Sequence, residues 1–394
     1  MTPLSVLPFP DGNDLLVESA GGSNYDQVHF HKVNCSSRAA VDLGIVSGNP
    51  GGVVWAEPRK TLLLSRTVNG ITNLWKYSLA DRGLTQITSG PGPDYSPMLD
   101  PATKGIYFVN GKSSGFLTAY DVHSRQFVDI VSENASQPTI SPDGRHVMYI
   151  KLPGPDRTEL WVSDLDGSNK LKLASAGSLA TGDWSPDSSQ LTFMEATGGE
   201  GEAYAVRADG RDLRQIGRVE GITEWATWSA DGKSVYLSST KSGAPAPTVW
   251  KANAEGSGVE KFLDEACFVN DTSRTGDYLL GAIFDGKQLG IYEISVAGRQ
   301  LVSLLPGVET WMVRFARDGN SLIYPVTSRS EVTFYRQAWR DGKLIGQPQI
   351  ALKLPFAFHQ AYHGNAYDFS RDLSTIVYAR PGGQADLYLL SDWH

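Results

Sequence analysis

Short runs of alternating apolar and polar residues fill the chain, and the same run returns again and again behind the same turn. After Ser141-Pro142-Asp143-Gly144 come Val147, Met148, Tyr149 and Ile150; Trp184–Met194 (WSPDSSQLTFM) and Trp228–Ser238 (WSADGKSVYLS) repeat the phrase. Pro presets φ at the second turn position, Asp follows, and Gly closes the turn. Each phrase therefore predicts a tight turn between two antiparallel strands, with the Asp capping backbone N–H groups. Anchored on the turn's first residue, the phrase recurs at Ser141, Ser185, Ser229, Ser273, Ala316 and Ser370, in steps of 44, 44, 44, 43 and 54. Weaker copies start near Phe9, Ala56 and Leu99.

A second landmark keeps the same period. An apolar residue precedes an aromatic one at Leu74-Trp75, Ala119-Tyr120, Leu160-Trp161, Ala203-Tyr204, Val249-Trp250, Ile291-Tyr292, Phe334-Tyr335 and Leu387-Tyr388. It marks a third strand with its aromatic expected on a buried face. Hairpin turns follow, as at Asp166-Gly167 and Asp209-Gly210, where Gly supplies the positive φ that tight hairpins need. Four antiparallel strands per unit of about 44 residues is the spacing of a propeller blade. The expectation is an all-β chain, a single β-propeller domain over 1–394. Its units run approximately 1–46, 47–90, 91–134, 135–178, 179–222, 223–266, 267–309, 310–353 and 354–394. About nine repeats make an eight- or nine-bladed ring. The last unit stops after its third strand, so its fourth is either missing or supplied by Pro3–Pro8. The long step marks an insertion, Leu354–Asn365 (LPFAFHQAYHGN).

Composition agrees with many short strands: 41 Gly and 21 Pro in 394 residues imply many turns. A formal charge of -8 without a run of basic residues argues against nucleic acid. No stretch approaches the ~18 apolar residues of a membrane span, and the N-terminus lacks the pattern of a signal peptide. Compartment stays open. Cys35 and Cys267 lie in distant units and are not expected to pair.

The repeat resembles the TolB-type, WD-repeat-like propeller. The residues that carry the resemblance are Ser141-Pro142-Asp143-Gly144 with Tyr149, Trp184-Ser185-Pro186-Asp187, Trp228 through Gly232, and Leu160 through Gly167. TolB has six blades and a separate N-terminal domain, and nine counted units depart from that pattern. The stretch Asn365–Leu390 is similar to the C-terminal propellers of bacterial multidomain sensors, which implies an interaction module of a larger protein.

Candidate chemistry is sparse. Gly111-Lys112-Ser113-Ser114-Gly115 has the form of a nucleophile elbow, but that motif acts between a strand and a helix; here it reads as a hairpin loop. Asp164–Asn169 imitates the start of a calcium loop without its closing Glu and reads as a turn. His29 and His31 share a strand face. His359 and His363 flank the insertion, yet neither pair has a further ligand at metal spacing. No catalytic residue, metal or cofactor is assigned. The loops between second and third strands vary from unit to unit and share one face with the insertion. Variable Gly-rich loops beside aromatics suit recognition. The expected function is a non-enzymatic scaffold that binds a protein or peptide through that face, using Phe356, Phe358, His359, Tyr362 and His363. In the same insertion, Phe356 and Phe358 alternatively plug the ring axis. The alternative function is a propeller-class enzyme, a polysaccharide lyase or metal-assisted hydrolase, with its site in the central funnel.

Overall fold

The structure, a computed structural model, describes the chain apart from residues 1–2, 11, 22–26, 49, 112–113, 133, 155–156, 198–199, 242–243, 245, 285–287, 329–330, 356–365, 383–384, 392 and 394. The described residues form antiparallel strands and turns, without a helix among them.

The repeated turn works as its residues dictate. Ser141 Oγ donates to Asp143 Oδ1 (2.6 Å), and Asp143 Oδ1 accepts the Arg145 amide (3.1 Å). The same Ser oxygen accepts the His146 amide at 2.9 Å, which starts the next strand. Ser185 with Asp187, Ser229 with Asp231 and Ser370 with Asp372 repeat the arrangement. Gly144, Gly232, Gly276 and Gly319 take positive φ at the closing position; Ser188 and Leu373 do so without being glycine. The turn carboxylates are thus structural, and the serine hydroxyls, with the backbone amides, that donate to them hold Asp187, Asp231 and Asp372 below the usual carboxylate pKa.

The chain parts into two compact units, residues 114–381 and residues 1–113 with 382–394. In the larger unit, five sheets of four strands follow in chain order. They start with the innermost strands Ala135–Ile140, Leu179–Trp184, Ile222–Trp228, Phe268–Thr272 and Arg314–Phe315. The sixth sheet joins the two ends of the unit: Tyr367–Phe369 and Thr375–Gly382 pair with Ser114–Asp121 and Gln126–Val131. These are sheets one to six below. Each pair of consecutive sheets closes over its own apolar cluster. Trp184 sits in the cluster between sheets one and two, and Trp228 in that between two and three. Further clusters join three to four, four to five and five to six. The cluster of Leu117, Ala119, Ile130 and Val377 with Ala135, Ile140 and Tyr149 joins six back to one. The sheets therefore form a closed ring, and no sheet face is left bare.

The smaller unit holds two four-stranded sheets, beginning at Pro3–Pro8 and Gly51–Glu57, and a three-stranded sheet in the order Ala385–Leu390, Ile106–Gly111, Asp94–Leu99. Several expectations change here. Pro3–Pro8 pairs with Asp14–Gly21 in its own sheet and does not complete the last unit. Units 91–134 and 354–394 are not single sheets; they exchange their later strands. The fragment around Gly111 is not a hairpin, because its flanking strands lie in different sheets. Cys35 and Cys267 are both free. His29 and His31 share a face as expected, ring centroids 6.2 Å apart.

The third-strand aromatics also need correction. Leu160 and Val249 are fully buried, whereas Trp161 and Trp250 are half-buried. Lys151 and Lys261 lie over their exposed faces, each 5.5 Å from the ring centre. Strand alternation sends the preceding apolar residue into the interface and leaves the aromatic at its margin.

Candidate functional site

All six innermost strands run toward the repeated turns, so their last residues meet around the ring axis. The residues directly before the turn are Ile140, Trp184, Trp228, Thr272, Phe315 and Phe369. One position earlier stand Thr139, Asp183, Thr227, Asp271, Arg314 and Asp368. Carboxylates thus occupy alternate sheets of the ring. Together with the turns, all of these residues except Thr139, Thr227 and Asp368 line a cavity of about 230 Å³ that opens on the turn face.

Polar groups stitch neighbouring sheets at this level. Trp184 Nε1 donates to the Thr139 carbonyl (2.9 Å), Trp228 Nε1 to the Asp183 carbonyl (3.1 Å) and Thr272 Oγ1 to the Trp228 carbonyl (3.1 Å). Asp271 Oδ2 accepts the amide of Phe315 and Asp368 Oδ2 that of Ile140, both at 2.7 Å. Trp184, Trp228, Asp271 and Asp368 thus tie neighbouring sheets of the ring together.

The charges are paired unevenly. Arg371, in the turn of sheet six, reaches Asp271 with both Nη atoms, at 2.6 and 2.7 Å. Arg314 Nη2 meets Asp368 Oδ1 at 2.9 Å. Burial raises the pKa of Asp368 against the pull of Arg314. Burial also works against the charge of Arg314, but Asp368, Asp183 and Asp271 outweigh it and push its pKa up. The short contact and the two backbone amides on Asp368 keep this pair ionised. Asp271 and Asp368 are 1% and 0% exposed.

Asp183 differs from its two counterparts. Its Oδ1 accepts its neighbour's amide, Trp184 N–H, at 2.8 Å, but it has no ion-pair partner among the described residues. It is half-buried and open to the cavity. Burial, reinforced by Asp271 and opposed by Arg314 and Arg371, pushes its carboxyl up to about 6.

Around the mouth, the second turn position carries Pro142, Pro186 and Ala230 in sheets one to three, and Arg274, Arg317 and Arg371 in sheets four to six. One half of the rim is apolar and the other cationic. Arg317 pairs with Asp372 at 3.2 Å, while Arg274 has no partner among the described residues. On the far side of the cavity, Trp225 of sheet three packs against the cluster between sheets five and six, which lies across the ring. Its indole therefore reaches across the ring from sheet three.

The residues expected from sequence to bind a ligand, Phe356, Phe358, His359, Tyr362 and His363, lie outside the described residues. Among the described residues, no group of three or more His, Cys, Asp or Glu is placed to hold a metal ion. Asp164 takes its expected place in a turn, where its Oδ2 accepts Ser168 Oγ and Asn169 Nδ2. The axial set was missed because a polar residue before a turn looks like ordinary surface. Its signal was present in the alternation of Asp183-Trp184-Ser185, Asp271-Thr272-Ser273 and Asp368-Phe369-Ser370, with charges where an inner strand should be apolar.

A closed ring of four-stranded sheets around an axial cavity defines a β-propeller. The TolB beta propeller domain family matches residues 116–344, more than half of the chain, and the chain belongs to that family. The repeat count led to an expectation of eight or nine blades; the larger unit holds six sheets and the smaller unit three. A putative TolB from Agrobacterium tumefaciens superposes with a TM-score of 0.50 at 16% identity, covering 69% of this chain and 99% of that one. An oligogalacturonate lyase from Vibrio parahaemolyticus gives 0.41 at 14% identity, covering 83% and 94%. In sequence, 110 residues are 29% identical to a dipeptidyl-peptidase 5 of Porphyromonas endodontalis, covering 26% of this chain and 16% of that protein's length. The structural likenesses are of fold.

Proposed function

We propose that the chain is a non-enzymatic binding module that captures a protein or peptide partner at the turn-face mouth of its larger unit. The observation that carries this reading is the axial cavity, about 230 Å³, whose wall carries Asp183 without an ion-pair partner among the described residues. A fixed concave site with a few convergent polar groups on an apolar wall is how propeller rings and similar scaffolds recognise ligands. The ring closes over six apolar interfaces, so the site is preorganised and binding loses little to ordering. This places the contact on the face opposite the variable loops. The loops and the insertion remain a second contact area for a large partner.

The test is capture from the source cell with the parent protein and with Ala230→Arg. Arg already occupies the equivalent turn position at Arg274, Arg317 and Arg371, so the variant should fold while filling the mouth. The reading expects a set of partners retained by the parent and lost from the variant. An unchanged set would overturn it.

A further inference from the structure

The three axial carboxylates occupy equivalent places in alternate sheets, so two of them serve as internal controls for the third. Asp271 has Arg371, its neighbour's amide and the next sheet's amide. Asp368 has Arg314 and the same two kinds of amide. Asp183 has only the Trp184 amide. A carboxylate withdrawn from bulk water needs a cation or donors to stay charged. The ring supplies these twice and withholds them once, at Asp183 on the cavity wall.

A second group is left unserved in the same cavity. Arg314 is 7% exposed and lines the wall, and its Nε–H has no acceptor. A buried donor without an acceptor is costly. The cavity thus offers one carboxylate without a cation, Asp183, and on the same wall the guanidinium of Arg314.

We infer that this cavity takes the free amino terminus of a peptide, with the terminal ammonium on Asp183 and the first carbonyl oxygen on the Arg314 guanidinium. A terminal residue carries the three ammonium donors and the carbonyl acceptor in one small group. A simple amine answers Asp183 alone. A carboxylate answers the arginines but meets the charge of Asp183. The chain that follows the terminal residue leaves past the rim, where Arg274 favours an acidic side chain. The inference rests on the binding reading above and names the chemistry of its ligand.

The same ammonium chemistry could come from a lysine side chain or a free amine, and the experiment separates these sources. The probe is a pool of tetrapeptide amides without lysine, as the free amines and as the N-acetylated forms, measured by equilibrium dialysis against the full chain. We expect the free pool to be retained about tenfold or more over the acetylated pool, the scale of one hydrogen bond to a charged group. Asp183→Asn should bring the free pool down to the acetylated level. Its melting curve at neutral pH should not fall, which shows that the loss is not unfolding. Glycinamide should displace the free pool at lower concentration than ethylamine does, because only glycinamide brings the carbonyl for Arg314. Equal retention of both pools, full binding by Asp183→Asn, or equal competition by the two amines would overturn the inference. So would equal retention of an acetylated pool that contains lysine. If both pools bind equally and Ala230→Arg abolishes both, the cavity remains a peptide site and only the amino-terminal assignment fails. If neither pool is retained, the inference fails, and the comparison of captured partners decides the binding reading by itself.

Discussion

Arg371 and Asp271 lie 100 positions apart in the chain and are joined by two hydrogen bonds of 2.6 and 2.7 Å. The pair ties the turn of sheet six to the innermost strand of sheet four, and Arg371 also donates to the Phe315 carbonyl of sheet five at 3.1 Å. Three sheets are held by one guanidinium. Removing it leaves the carboxylate of Asp271, 1% exposed, without a cation. Arg371→Ala should therefore destabilise the larger unit by about 3–5 kcal/mol, the usual result of breaking a buried pair from one side. Arg371→Met combined with Asp271→Asn should cost far less, because no charge is stranded. Denaturant midpoints on both variants check this. Equal losses would mean that packing, not charge, accounts for the effect.

Asp183 predicts a dependence on pH with a definite sign. Its folded pKa is raised to about 6 from an ordinary 3.8. The folded state therefore takes up a proton before the unfolded state does as pH falls. The destabilising contribution of the ionised carboxylate is fully present above about pH 6 and disappears as pH falls through 6 toward 4. Asp183→Asn keeps an oxygen for the Trp184 amide and removes the charge. It should stabilise the protein by about 1–3 kcal/mol at pH 7–8, allowing for the group's opening to the cavity, and by almost nothing near pH 4. Thermal unfolding of parent and variant across pH 4–8 gives the difference. A variant less stable than the parent at pH 8 would show that Asp183 already has a cation in the ring.

The buried tryptophans are ranked by their exposure. Trp184 and Trp228 are each 2% exposed between adjacent sheets, and each indole donates to the sheet before it. Trp184→Ala and Trp228→Ala should each cost about 3–5 kcal/mol. Trp161→Ala and Trp250→Ala should cost less, on the order of 1–2 kcal/mol, since each ring is only partly buried at the margin of its cluster. Chemical denaturation of the four variants tests the order. Reversal of the two pairs would place the cores elsewhere than between consecutive sheets.

That ranking shows how far the sequence could be read. The turn phrase and its period announce four-stranded antiparallel units, because turn chemistry and strand alternation act locally. What stayed hidden is which strands meet. Ala119-Tyr120 and Leu387-Tyr388 carry the same third-strand pattern, yet Ala119 and Tyr120 are 6% and 8% exposed inside the ring, while Leu387 and Tyr388 are 70% and 47% exposed at the edge of a three-stranded sheet. Equal local patterns leave the choice of partner to packing between residues far apart in the chain. The axial site hid for a related reason. Asp183, Asp271 and Asp368 become one set only when the ring places alternate sheets around one axis.

Ring closure gives the last test. The final sheet of the larger unit is built from both of its ends, Tyr367–Phe369 and Thr375–Gly382 with Ser114–Asp121 and Gln126–Val131. Every sheet of the ring and all six apolar interfaces lie within residues 114–381. A fragment of those residues should therefore fold by itself and unfold in one cooperative transition, with Trp184 and Trp228 shielded from a fluorescence quencher. Ending the fragment at residue 355 removes Asp368, Tyr367, Phe369, Ile376 and Tyr378. It strips the cluster between sheets five and six and leaves Arg314, 7% exposed, without its carboxylate. Lost burial of several large side chains, each worth about 1.5–3 kcal/mol, exceeds what a domain of this size can spare. The shorter fragment should show no cooperative transition and should expose its tryptophans to the quencher. If it instead unfolds at the same denaturant midpoint as the longer one, the strands from the two ends do not hold the ring shut.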